Sequence, residues 1–131
     1  MLKEMIDFPA RPNLLPPATM AYIGDSLFEL FIRNLLLERN AAKPKKLHRQ
    51  AIEYVNATAQ AELLEQLREY LTEEELVIVR RGRNAKTNVP SSADPADYQY
   101  STAFEALLGY LYLKGEEDRL LELFKLIKEI L

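Results

Sequence analysis

The 131-residue chain has no cysteine, a single histidine and only four glycines. Without a thiol there is no disulfide framework, no thiolate metal site and no cysteine nucleophile. One histidine, His48, is too few for a phosphohydrolase built on histidine–aspartate pairs, which needs several. Scarce glycine beside abundant Leu, Ala, Glu, Lys and Arg favours helices over sheets, and an all-α fold is expected. The lead-in Met1 to Pro17 carries Lys3, Glu4, Asp7 and several prolines but no apolar core segment, so no secretory leader is expected. No uncharged, proline-free stretch is long enough to cross a bilayer. The expectations are therefore a cytoplasmic protein with no membrane partner. It forms one domain over residues 1–131, with 1–17 as an irregular lead-in.

A formal net charge of −3 argues against a nonspecific nucleic-acid coat, because phosphate binding draws on clustered cations. The distribution of charge matters more than its sum. No acid occurs from Arg39 to Ile52, where Lys43, Lys45, Lys46 and Arg49 lie, nor from Leu76 to Ala93, where Arg80, Arg81, Arg83 and Lys86 lie.

Apolar spacing predicts a first helix from about Ala18 to Arg39. Tyr22, Phe28 and Ile32 fill its other sides, so it reads as buried in the middle of a bundle. Pro44 suits the first turn of a second helical stretch reaching about Leu71, with a bend near Asn56 to Thr58. Thr72 and Glu75 have the spacing of a capping box, opening a short helix to about Gly82. A polar loop from Arg83 to Ala93 follows. Asp94 and Pro95 read as the start of a helix that Gly115 ends near Lys114, and an amphipathic helix closes the chain.

Against this apolar pattern a few charges stand alone. Between Arg11 and Arg33 the only charged residues are Asp25 and Glu29; between Asp97 and Lys114 the only one is Glu105. Glu29 has an ordinary partner in Arg33 one turn on. Burying an unpaired carboxylate costs several kcal/mol or neutralises it, so Asp25 and Glu105 call for partners. Asp25 alone fits a buried cap or ion pair equally well. Taken together, two lone acids on two core helices fit a shared hard cation such as Mg²⁺, which takes oxygen ligands from one or two carboxylates and water. Gly24 and Gly109 beside them each cost a helix about 1 kcal/mol relative to Ala, and are useful where another backbone or a ligand strand comes close.

The stretches Ala21-Tyr-Ile-Gly-Asp-Ser-Leu-Phe-Glu-Leu30 and Thr102-Ala-Phe-Glu-Ala-Leu-Leu-Gly-Tyr-Leu-Tyr112 resemble the two signature motifs of ribonuclease III domains. Chain length, Lys46-Leu-His-Arg-Gln-Ala51, Tyr54-Val-Asn-Ala57, Gln60-Ala61 and Arg80-Arg-Gly-Arg-Asn-Ala-Lys86 are similar to the Mini-ribonuclease III branch, which lacks a separate double-stranded-RNA-binding domain. The resemblance implies a homodimeric helical bundle that cuts double-stranded RNA with Mg²⁺, for which Mn²⁺ can substitute. It makes Asp25 the catalytic aspartate and Glu105 the metal-binding glutamate, and it places Tyr22 at the dimer interface. It further implies a precursor of large-subunit ribosomal RNA as substrate, and leaves any ribosomal-protein accessory factor unidentified. Two acids usual in larger relatives are replaced here by Ala21 and Thr102, which puts a full two-metal site in doubt.

Duplex RNA hides its base edges in a narrow major groove, so a protein grips it through phosphates and 2′-hydroxyls. The candidates for that grip are Lys43, Lys45, Lys46, Arg49, Arg80, Arg81, Arg83, Asn84, Lys86 and Thr87, each of which could equally be a solvated surface residue. The alternative to an enzyme is a non-catalytic helical dimer module that binds structured RNA.

Overall fold

The computed structural model describes residues 2–40, 42–86 and 88–131. Among them six α-helices and no strand occur: α1 Pro17–Arg39, α2 Pro44–Val55, α3 Ala57–Leu67, α4 Glu73–Arg83, α5 Pro95–Lys114 and α6 Glu117–Ile130. No helix among the described residues is long and apolar enough to cross a membrane. The lead-in forms two short 3-10 turns, Leu2–Glu4 and Pro12–Leu14.

Local chemistry sets most boundaries. The expected bend after α2 is a true break: Asn56 leaves the helical conformation and its side chain accepts from the Ala59 N–H, capping α3. Thr72 and Glu75 form the reciprocal capping box at 3.2 and 3.0 Å. Asp94 accepts from the Asp97 N–H at 3.0 Å to start α5. Gly115 ends α5 at φ 82°, a left-handed conformation that costs glycine no Cβ clash.

The core differs from the sequence expectation in which helix is central. That place belongs to α5, where Ser101 to Leu111 are buried apart from Glu105. Helices α1, α3, α4 and α6 pack against it. Helix α1 buries Met20, Phe28, Ile32, Leu35 and Leu36 but leaves Tyr22, Leu30 and Leu37 exposed, so its apolar circumference is only half used within one chain. Apolarity all round a helix does not reveal whether its partners lie in the same chain. Phe28 meets Phe104 edge-on with ring centroids 4.9 Å apart, locking α1 to α5 one turn beyond Gly24. At the other end of the bundle, Arg119 of α6 donates to the buried Glu75 at 2.8 and 2.9 Å and to the Tyr70 carbonyl. The capping glutamate of α4 thereby also anchors α6.

Candidate metal centre and nucleic-acid face

Two glycines let α1 and α5 cross almost backbone to backbone. A Cβ built on Gly24 would stand 1.7 Å from the Glu105 carbonyl oxygen, and one on Gly109 would stand 1.8 Å from the Met20 carbonyl oxygen. Met20 and Gly24, like Glu105 and Gly109, are four residues apart, so each pair lines one side of the crossing. The requirement for glycine here is close approach of another helix, not an unusual dihedral.

This crossing fixes where the two lone acids go. Asp25 follows Gly24 on the rim of α1 and is exposed, whereas Glu105 is largely sunk among the buried residues of α5. Burial is the main cause that pushes the Glu105 carboxyl up to about 9. The Asp25 carboxylate adds to it, first by accepting a hydrogen bond from the protonated form and then by like-charge repulsion. Gln60 on α3 opposes this shift by hydrogen bonding to the Glu105 side chain. Among the described residues neither Asp25 nor Glu105 joins an ion pair.

The two replaced acid positions add no negative charge. Ala21 is buried, and the buried Thr102 donates its hydroxyl to the Tyr98 carbonyl at 3.1 Å. Among the described residues no group of three or more acids or histidines is arranged to hold a metal. The donor set is thus two carboxylates with nothing positive between them. It fits a hard divalent cation that completes its shell with water or substrate oxygens.

Sequence reasoning missed Gln60 as a site residue. It is 2 % exposed, on the stripe of α3 that also buries Leu63, Leu64 and Leu67. The available signal was an amide at an apolar register position, since a buried amide demands a partner.

The basic residues sort differently. Lys43, Lys45, Lys46, Arg49, Arg80, Arg83, Asn84 and Lys86 are exposed, and Thr87 lies outside the described residues. Glu29 pairs with Arg33 at 2.9 Å. His48 is exposed, beside Arg33, Leu37, Pro44 and Leu47 around an apolar hollow. Arg81 departs from its neighbours: its guanidinium donates to the carbonyls of Asn13 and Leu15 at 2.6 and 2.9 Å, tying the lead-in to α4. That commitment turns it away from the solvent face on which Arg80 and Arg83 stand.

Comparison with known proteins agrees with this architecture. The Ribonuclease III domain family matches residues 18–116. A Mini-ribonuclease 3 of Symbiobacterium thermophilum is 56 % identical over 88 % of this chain and 90 % of its own. Mini-ribonuclease 3 proteins of Brevibacillus brevis and Staphylococcus aureus are 47 % and 41 % identical, over 86 % and 82 % of this chain and 84 % and 83 % of theirs. A crystal structure of a Fusobacterium nucleatum protein superposes with a TM-score of 0.81 at 26 % identity, covering 92 % of this chain and 98 % of that one. All-helical architecture, two motif-bearing helices crossing on glycine and similarity over most of the chain converge on one conclusion: this chain belongs to the ribonuclease III domain family, in its Mini-ribonuclease 3 branch.

Proposed function

We propose that this protein is a magnesium-dependent endoribonuclease that cuts double-stranded RNA as a homodimer, with Asp25 and Glu105 holding the cation in each subunit. Family membership supports the activity and its duplex substrate. The observation that carries the site is the meeting of Asp25 and Glu105, from helices eighty residues apart in sequence, at a crossing that glycine keeps close.

Magnesium bound there would supply Lewis acidity to the phosphodiester and lower the pKa of the attacking water. The protein's own groups do the rest. Asp25, on the exposed rim, faces solvent and substrate, while Glu105 is held from behind by Gln60. A hydrogen bond from Gln60 favours the ionised form of Glu105, which is the form that binds a cation. Two carboxylates suit one cation with remaining positions open, and this donor set favours a single metal over a pair.

The homodimer rests on the family resemblance and on the outward side of α1. Tyr22 is 77 % exposed and Leu30 60 %, apolar surface on α1 that a second copy of the chain could cover. A precursor of large-subunit ribosomal RNA is the natural substrate that kinship with the Mini-ribonuclease 3 proteins suggests.

The test compares the unmodified protein with Asp25→Asn and Glu105→Gln on duplex RNA, single-stranded RNA and duplex DNA in Mg²⁺. Only duplex RNA should be cut, and each variant should lose on the order of a hundredfold or more in rate, because several kcal/mol of charge stabilisation are removed. Binding of duplex RNA without cleavage by the unmodified protein would favour a non-catalytic RNA-binding module instead.

A further inference from the structure

Three arginines from two separate elements converge on one hollow. Arg68, at the start of the 3-10 turn Arg68–Tyr70 after α3, meets Arg80 and Arg83 of α4 around a cavity of about 250 Å³ whose remaining walls are Leu76 and Val79. Leu76, Val79, Arg80 and Arg83 recur at i, i+3, i+4 and i+7, so they form one stripe of α4. Arg81, a further hundred degrees or so round the helix, points to the lead-in and takes no part.

Helix ends account for only part of this arrangement. Cations are favoured in the last turn of a helix, and all three residues occupy such positions. That preference is satisfied by pointing into water anywhere around the helix; it does not bring guanidinium groups from different elements into one hollow, where they repel one another. Among the described residues no acid pairs with Arg80 or Arg83, and Arg68 has only the exposed Glu65 at 3.4 Å, an exchangeable contact. Concentrated positive charge of this kind, in a chain of net charge −3, is relieved by an anion. Leu76 and Val79 give the hollow an apolar floor along which the arginine stems can lie, while the guanidinium heads stay in solvent and open to a ligand. Planar guanidinium forks match the paired non-bridging oxygens of a phosphodiester.

We propose that Arg68, Arg80 and Arg83 form a seat for one backbone phosphate of the RNA duplex, separate from the phosphate that is cut. The proposal rests on the duplex-RNA reading and adds to it a residue, Arg68, that lies outside both basic segments of the sequence. Through a fixed phosphate contact away from the acids, the seat sets how the duplex lies across the site without reading its bases.

Binding of a short labelled RNA duplex, followed by fluorescence anisotropy across a salt series in EDTA, separates this grip from cleavage. Arg68→Gln and Arg80→Gln should each weaken binding about tenfold and reduce the salt slope by about one phosphate contact. Their double variant should lose less than the sum of the two, because both hold the same phosphate. Arg68→Lys should keep the salt slope while losing part of the affinity, as a point charge without the fork. Arg81→Gln, which loosens the lead-in, should lower the melting temperature and leave the slope unchanged. An unaltered slope in Arg68→Gln, or strictly additive losses in the double variant, would overturn the seat. Equal affinity of the unmodified protein for single-stranded RNA or duplex DNA would instead defeat the duplex-RNA reading, while the variant slopes on those ligands still decide the seat.

Discussion

The crossing of α1 and α5 and the basic face around the end of α4 are built on opposite terms. At the crossing, backbone meets backbone through Gly24 and Gly109, a carboxylate is forced inward, and a buried amide holds it. On the basic face the cations stand in solvent, and their arrangement is read only from which stripe of a helix they occupy. Geometry at the first is imposed by packing, so small changes should be felt strongly and through stability or metal binding. At the second, single substitutions should be mild and appear in salt dependence.

The largest effect expected from breaking this contrast is at the crossing itself. Gly24→Ala places a methyl group against the Glu105 carbonyl, and backbone cannot rotate away as a side chain would. Chemical denaturation should show a loss of about 3 kcal/mol or more, at the upper end of overpacking costs. Gly109→Ala should behave alike, since its Cβ meets the Met20 carbonyl. A loss below about 1 kcal/mol in both would mean that the helices slide apart freely.

Titration provides the next test. In the unfolded chain Glu105 ionises near 4.5, whereas in the folded, metal-free chain burial and the Asp25 carboxylate raise it to about 9. Between these values the folded protein retains a proton that the unfolded chain has released, so rising pH favours unfolding over that window. Below it both forms are protonated and above it both are ionised, and the contribution of this group levels off. Melting curves in EDTA should therefore show stability falling from about pH 5 to about pH 9, and Glu105→Gln should flatten that part of the profile. The same slope in the variant as in the unmodified protein would assign the effect to another group.

A subtler change sharpens the comparison. Gln60→Leu keeps the volume of the α3 stripe but removes the hydrogen bond to Glu105. Calorimetric Mg²⁺ affinity should fall roughly 10- to 100-fold, the usual effect of losing a partner of a metal ligand. Folding stability should fall by about 1–3 kcal/mol, because only one partner is replaced and the Glu105 carboxyl is left buried without its hydrogen bond. Unchanged metal affinity would reduce Gln60 to a packing residue.

Sequence alone revealed the crossing more fully than the basic face, for a physical reason. Asp25 and Glu105 were conspicuous because each is the lone charge in a long apolar stretch apart from the paired Glu29, and Gly24 and Gly109 because glycine is costly inside a helix. Caps at Thr72 and Asp94, and the stop at Gly115, were legible because their chemistry is local. Gln60 stood in a stretch that resembles the family but was not read as a site residue, because its partner is forty-five residues away and an amide among leucines carries no charge to mark it. The arginine run could not be resolved at all from composition: Arg80 and Arg81 are neighbours in sequence, yet one faces the hollow and the other holds the lead-in. Nor could the run include Arg68, which joins the face only through the turn between α3 and α4. Helix α1 was placed too deep because apolar residues facing outward and those facing inward read alike in one dimension.

Direct measurement of Mg²⁺ binding by calorimetry, on unmodified protein, Asp25→Asn and Glu105→Gln without RNA, tests the central claim most closely. One cation per chain should bind to the unmodified protein, and either substitution should weaken it by at least about tenfold, a difference of 1.4 kcal/mol. Both variants binding magnesium as tightly as the unmodified chain would contradict the account, because the two carboxylates would then have no shared ion to hold.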